Sequence, residues 1–177
     1  MLARIRLACR PIVLIDGGSG SGKTTLAAAL APALAAQLVR LEDFYPGWEG
    51  LESASAAVCR DVLAPESPGW RRWDWTTGSA AEWHPLDATL PLVIEGSGCL
   101  SRANRRRASF GIWVELDAPT RKRRALARDG ESYLPHWDRW AAQERVFAHR
   151  EHPRQLADLV LDEHDVAPLV DGLASLL

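Results

Sequence analysis

The run Gly17-Gly18-Ser19-Gly20-Ser21-Gly22-Lys23-Thr24 has glycines at its first and sixth places and closes on Lys-Thr, a pattern whose chemistry is the grasp of a polyphosphate. Its glycines let the chain curl until successive backbone N–H groups point inward at phosphate oxygens. A helix beginning there adds the positive end of its dipole. Lys23 is placed to reach the β- and γ-phosphates and Thr24 to hold Mg²⁺ through its hydroxyl, with Thr25 continuing the same segment. Lys23 and Lys122 are the only lysines among 21 basic residues, so a lysine at the motif's fixed position is not compositional drift.

Moving a phosphoryl group needs little covalent chemistry from the protein. It needs a positioned acceptor, a carboxylate to orient or deprotonate it, Mg²⁺ and cations around the transferred group. Asp43, in Glu42-Asp43-Phe44-Tyr45-Pro46-Gly47, and Glu95, in Leu92-Val93-Ile94-Glu95-Gly96, each follow a short apolar run. Strand C-termini of an open parallel sheet border the ligand crevice, which is where such carboxylates belong. The competing reading of Asp43 is a turn former in a Pro-Gly segment, and Asp16 reads as a loop cap. Arg121, Arg124 and Arg128 recur three and four residues apart and share a helical face that can converge on a triphosphate, the alternative being a solvated basic face. Tryptophans 48, 70, 73, 75 and 83 cluster between these segments; Trp73-Asp74-Trp75 is the preferred acceptor contact, set against burial in a core. His84 and the group Arg102, Arg105, Arg106 and Arg107 are weaker candidates, the arginines reading first as surface charge. His136, His149, His152 and His164 show no metal spacing and read as surface residues.

These residues must be positioned by regular elements. Residues 11–15 form a continuous β-branched run ending at Gly17, the mark of a strand buried on both faces. Residues 23–37 favour a helix that Pro32 kinks or ends. Further strands are expected at 38–41, 92–94, 111–116 and 159–161, and helices at 53–63, 101–108, 120–129, 135–151 and 166–176. Residues 65–91 show little periodicity and read as an ordered insert. This alternation predicts one domain over residues 1–177, a three-layer α/β/α fold on a five-stranded parallel sheet, with a short helical lid at about 119–135 and an acceptor insert at about 44–91.

The segments Ile15-Asp16-Gly17 to Thr25 and Leu41-Glu42-Asp43-Phe44-Tyr45 resemble the uridine kinase family of P-loop nucleoside kinases, and the likeness runs more faintly to the C-terminus. The resemblance implies that Asp43 accepts the proton of the substrate hydroxyl, that Tyr45 belongs to the same substrate segment, and that Glu95 helps organise Mg²⁺ and substrate. It makes 121–129 the lid whose arginines, Arg124 and Arg128 above all, close over the phosphates of ATP. The catalytic set it implies is Asp43, Lys23, Arg124 and Arg128; the acceptor set is Asp43, Tyr45, Trp73, Trp75 and Glu95; the metal set is Thr24 and Glu95. The segment 44–91 lacks the family's full acceptor set, so sugars, sugar acids, pantothenate-like compounds and antibiotics stay open beside nucleosides, as does the choice of ATP over GTP.

A formal charge of -2 and 47% hydrophobic residues describe a soluble globular chain and point to neither nucleic acid nor membrane. The longest apolar run, about 26–38, is broken by Pro32 and falls short of the ~20 residues a bilayer span needs. Residues 1–11 lack the apolar core of a signal peptide. Cys9, Cys59 and Cys99 have neither disulfide nor zinc spacing and read as reduced thiols in the cytoplasm, Cys99 as a small buried hydrophobe or a reactive group. The expected partner is a small-molecule hydroxyl acceptor, and the expected assembly a monomer or homodimer. No Asn-Lys-x-Asp motif reads guanine and no Leu-Ser-Gly-Gly signature occurs, yet an ATPase or GTPase module and a non-catalytic nucleotide binder remain alternatives.

Overall fold

A computed structural model describes residues 1–175. The central strand β1 (Ile12–Asp16) has Val13, Leu14 and Ile15 fully buried, as a continuous β-branched run requires. β2 (Gln37–Arg40), β5 (Leu92–Glu95), β6 (Phe110–Val114) and β7 (Leu159–Leu161) join it in one parallel sheet of order β2-β5-β1-β6-β7. β3 (Gly69–Asp74) and β4 (Ser79–Pro85) form a separate antiparallel pair.

Alternation along β1 sends side chains to two opposite layers. Leu14, with Val39, Leu92 and Ile94, packs against α3 (Leu51–Ala57) and α6 (Trp137–Glu151) through Leu51, Ala54, Trp140 and Phe147. Val13 and Ile15, with Val93 and Ile112, pack against α1 (Leu2–Ile5), α2 (Lys23–Ala33) and α8 (Glu163–Ala174) through Ile5, Leu26, Leu30 and Leu173. The three-layer α/β/α expectation and its five parallel strands are thus the observed architecture. Parallel register pairs Ile15 with Glu95 and Arg40 with Glu95, so β1, β2 and β5 end at one edge of the sheet. The chemistry-bearing turns lie together there.

Local departures have local causes. α2 stops at Ala33, directly after Pro32, and Ala35 takes a left-handed φ of 49° so that the chain can enter β2. The helix expected at 53–63 is α3 followed by a π-type turn over Val58–Val62. The insert expected to be irregular contains the β3–β4 hairpin, whose turn is held by the Asp74 carboxylate accepting from Thr76 N (2.9 Å) and Thr77 N (3.3 Å), with Gly78 at φ 64°. Both hairpin faces are partly exposed and a bulge lies between Arg71 and Trp73, so no clean apolar alternation marks it in the sequence. The helix expected at 166–176 is α8; residue 176 lies outside the described residues.

The arginine group is structural rather than a ligand face. α4 (Arg102–Arg105) is tied down by Arg105, which pairs with Asp158 at 2.7 Å and donates to Leu156 O and Ala108 O, while Arg107 donates to Cys59 O and Leu63 O. The same Asp158 oxygen accepts from Gly111 N at 2.8 Å, fixing the start of β6. Arg105→Ala is expected to lower stability by about 1–2 kcal/mol, the range for a partly buried charge-assisted bond, with nucleotide binding unchanged; chemical denaturation and calorimetry check both.

Candidate active site

The loop between β1 and α2 is held by the backbone geometry its glycines permit. Gly20 and Gly22 take φ of 81° and 104°, the second serving as the left-handed N-cap of α2. A Cβ on Gly17 would stand 2.5 Å from Val114 O, so the loop lies flush against the end of β6. Beneath it the Asp16 carboxylate, fully buried, accepts from Gly17 N (2.6 Å), Gly98 N (3.1 Å) and Leu100 N (2.8 Å). Asp16 therefore caps two loops at once. Burial pushes its carboxyl up to about 6, against the opposing pull of those N–H groups and of Lys23.

Lys23 is buried, and its ammonium donates to Gly18 O at 3.1 Å and reaches Ser97 Oγ at 3.5 Å. Thr24 Oγ1 donates to Glu95 Oε1 at 3.0 Å, joining the two residues expected to hold metal. Burial raises the Glu95 carboxyl, with Lys23 and the Thr24 hydroxyl opposing and Glu42 adding to the rise. A hydroxyl and one carboxylate beside an anion cradle suit Mg²⁺, which takes hard oxygen ligands, keeps waters and shares phosphate oxygens. Among the described residues no cluster of three His, Cys, Asp or Glu side chains forms a self-contained metal cage, so any metal here depends on the phosphates.

These groups open on one cavity of about 800 Å³. Its floor is Ser19, Gly20, Gly22, Lys23, Thr24 and Thr25, and Glu42, Glu95, Gly96 and Ser97 line the adjoining edge. Over it lies α5 (Ala118–Asp129), bringing Arg124 and Arg128. Arg124 pairs with Glu163 at 3.2 Å and Arg128 with Asp129 at 2.7 Å. All four side chains are partly exposed, so these pairs are weak and can be exchanged for phosphate. The far wall is aromatic. Trp48 stacks on His136 (4.2 Å, 14°) and Tyr133 (5.4 Å, 17°), and Trp75 leans on Trp48 at 5.0 Å. Tyr45 also lines the cavity, but its hydroxyl is spent on Ser97 O at 2.8 Å.

Five expected site residues are placed differently. Asp43 does not line this cavity: its half-buried carboxyl is raised by desolvation, with the charges of Arg40, His84 and Arg72 opposing the rise. Glu42, one residue earlier in the 3₁₀ turn Leu41–Asp43, lines the cavity instead. A 3₁₀ turn sends adjacent side chains about a third of a revolution apart, so strand-end placement alone could not choose between them. Trp73 lines a separate cavity of about 430 Å³ with Phe44, Trp70 and Arg60, so only Trp75 of the Trp73/Trp75 pair reaches the main site. Gly17, Gly18 and Ser21 belong to the loop but are not among the residues that line the cavity. Sequence reasoning passed over Tyr133, Trp140 and Glu144, none of which belongs to a motif. Cys99 is buried with its thiol held on Ile15 O and its pKa raised well above the usual range, the setting of an inert small hydrophobe.

No family model and no curated protein matches the sequence. Solved structures do resemble the fold. A protein from Bacillus stearothermophilus described as a possible uridine kinase superposes with a TM-score of 0.62 at 19% identity over 91% of this chain and 93% of its own. A gluconokinase from Sinorhizobium meliloti gives 0.54 at 16% identity over 95% and 94%. A shikimate kinase from Acinetobacter baumannii gives 0.52 at 16% over 96% and 92%. The chain therefore has the three-layer α/β fold of these structures, built around its own glycine-rich loop.

Two outcomes follow from the geometry. Lys23→Ala should weaken ATP binding by about 100-fold, the loss of two charge-assisted phosphate bonds, as read by calorimetry. Asp16 is harder to ionise in the folded chain than unfolded, so its ionisation subtracts stability as pH rises from about 4 to about 6. The stability of the wild type relative to Asp16→Asn should therefore grow by on the order of 2–3 kcal/mol on acidification across that window, as read by denaturation at several pH values.

Proposed function

We propose that this protein is a kinase that transfers the γ-phosphoryl group of Mg-ATP to a hydroxyl of a small molecule carrying a planar ring, a nucleoside before other acceptors. One observation carries the reading. The phosphate loop, the Thr24–Glu95 pair and an aromatic wall share a single cavity large enough for a triphosphate end and an acceptor together. An ATPase or a switch protein has no need of a walled acceptor space beside its γ-phosphate.

In this account the loop N–H groups and Lys23 hold the β- and γ-phosphates, and Arg124 and Arg128 exchange their surface carboxylates for phosphate oxygens as α5 closes. Thr24 and Glu95 would hold Mg²⁺, which neutralises charge between the β- and γ-phosphates. Trp48, Trp75 and Tyr133 would flank the acceptor ring. The carboxylate assigned to the acceptor is Glu42 rather than Asp43, because Glu42 is the one that lines the cavity. The acceptor oxygen bonds to the γ-phosphorus as the bond to the β–γ bridging oxygen breaks. Its proton passes to Glu42, and ADP departs with the bridging oxygen.

The test is ADP release from Mg-ATP against a panel of nucleosides, sugars, sugar acids and other small alcohols. A nucleoside is expected to stimulate release. Glu42→Gln should lower kcat by ~10² with ATP affinity retained, and Asp43→Asn should stay within about threefold of wild type. Loss confined to Asp43→Asn would return the role to Asp43; release indifferent to every acceptor would contradict the kinase reading.

A further inference from the structure

The Glu144 carboxylate lies outside the roles described so far, yet it has the densest set of bonds of any acid near the loop. From α6 it reaches under the phosphate loop, where its side chain is 10% exposed. Oε1 accepts from Ser19 N at 2.6 Å, Ser97 Oγ at 2.9 Å and Trp140 Nε1 at 3.1 Å. Oε2 accepts from Arg121 Nη1 at 3.0 Å. Arg121 in turn donates to Ser19 O (3.2 Å) and Leu116 O (3.2 Å), and its guanidinium covers Gly18 so closely that no Cβ would fit there. A buried carboxylate is costly unless charge and hydrogen bonds satisfy it, and here every bond goes to an element of the site.

We infer that Glu144 is a positioning residue that locks the root of α5 to the phosphate loop, so that the loop and the lid arginines adopt their reactive arrangement as one unit. This rests on the kinase reading above. Arg121 stands in the first turn of α5, and Arg124 and Arg128 follow on the same helix and line the cavity. Fixing Arg121 against Ser19 therefore sets the distance at which those two guanidinium groups meet a phosphate lying on the loop. Ser97 extends the lock to the lysine: Lys23 Nζ reaches Ser97 Oγ, whose single proton is shared between Glu144 and Gly17 O. Aligned charge of this kind matters most in the transition state, where negative charge spreads over the transferred oxygens. The sequence reading grouped Arg121 with Arg124 and Arg128 as one convergent face. The structure turns Arg121 inward to the loop and leaves the other two toward the cavity.

The test compares Glu144→Gln, Arg121→Gln and the double variant, each first shown to be folded by circular dichroism. Glutamine keeps an oxygen for Ser19, Ser97 and Trp140 but cannot hold the guanidinium. Arg121→Gln opens the same contact from the other side, so the test does not hinge on one variant folding. Each single variant should lower kcat at least about tenfold while the ATP Kd changes less than about threefold, and the double variant should be no worse than either single one. Hydrogen exchange over residues 118–129 of the free protein should accelerate about tenfold in all three. An unchanged kcat in either single variant, losses that multiply in the double, or unaltered exchange over 118–129 overturns the proposal. Because the exchange arm needs no turnover, accelerated exchange in the variants together with a wild type that phosphorylates no acceptor would sink the kinase reading and leave the lock standing.

Discussion

An oligophosphate brings several negative charges out of water, and whatever replaces that water must be fixed before the ligand arrives. Here the fixing is done at the common end of β1, β2 and β5, where Asp16, Lys23, Glu95, Arg121 and Glu144 lie within a few residues' reach of one glycine-rich loop. Three acids and two bases are largely withdrawn from solvent, and burial raises both Asp16 and Glu95. The arrangement is tolerable because each acid is satisfied: Asp16 by backbone N–H groups, Glu95 by a hydroxyl, and Glu144 by a guanidinium together with a backbone N–H, a hydroxyl and an indole. It also leaves the edge short of positive charge, which Mg²⁺ and the lid arginines are suited to supply.

The remainder of the chain reads as support for that edge. The sheet is buried on both faces so that its strand ends cannot drift, and α2 begins on the left-handed Gly22 because a side chain there would strain the turn into the helix. α6 serves twice. Its apolar face packs under the sheet through Trp140 and Phe147, and the next position along that face delivers Glu144 to the loop. The aromatic bridge of Trp75, Trp48, Tyr133 and His136 links the hairpin to the segment after α5.

Much of this was legible in the sequence where local pattern and tertiary position coincide. Short apolar runs marked the five parallel strands, the one at 11–15 continuous and β-branched, and the glycine spacing with Lys23 marked the loop. Legibility failed where the outcome depends on a rotation of a residue or two. Glu42 and Asp43 are adjacent acids after one strand, and only the 3₁₀ turn decides which lines the cavity. Trp73 and Trp75 straddle a hairpin end, and the bulge and turn send them to different cavities. Glu144 carried no motif at all, since its significance comes from a contact with Ser19 across 125 positions of chain. His136 read as a surface histidine and is instead stacked on Trp48, for the same reason. No helix among the described residues is long and apolar enough to cross a membrane.

The claim on which the account turns is that Thr24 and Glu95 make the loop a site for a metal-bound triphosphate. It is tested most directly by calorimetric titration of ATP with and without Mg²⁺ into the wild type and Glu95→Gln. The account predicts that Mg²⁺ tightens ATP binding in the wild type and that this gain largely disappears in Glu95→Gln, while metal-free ATP binds the variant at least as well because one buried negative charge is gone. A full Mg²⁺ gain retained in Glu95→Gln would contradict it.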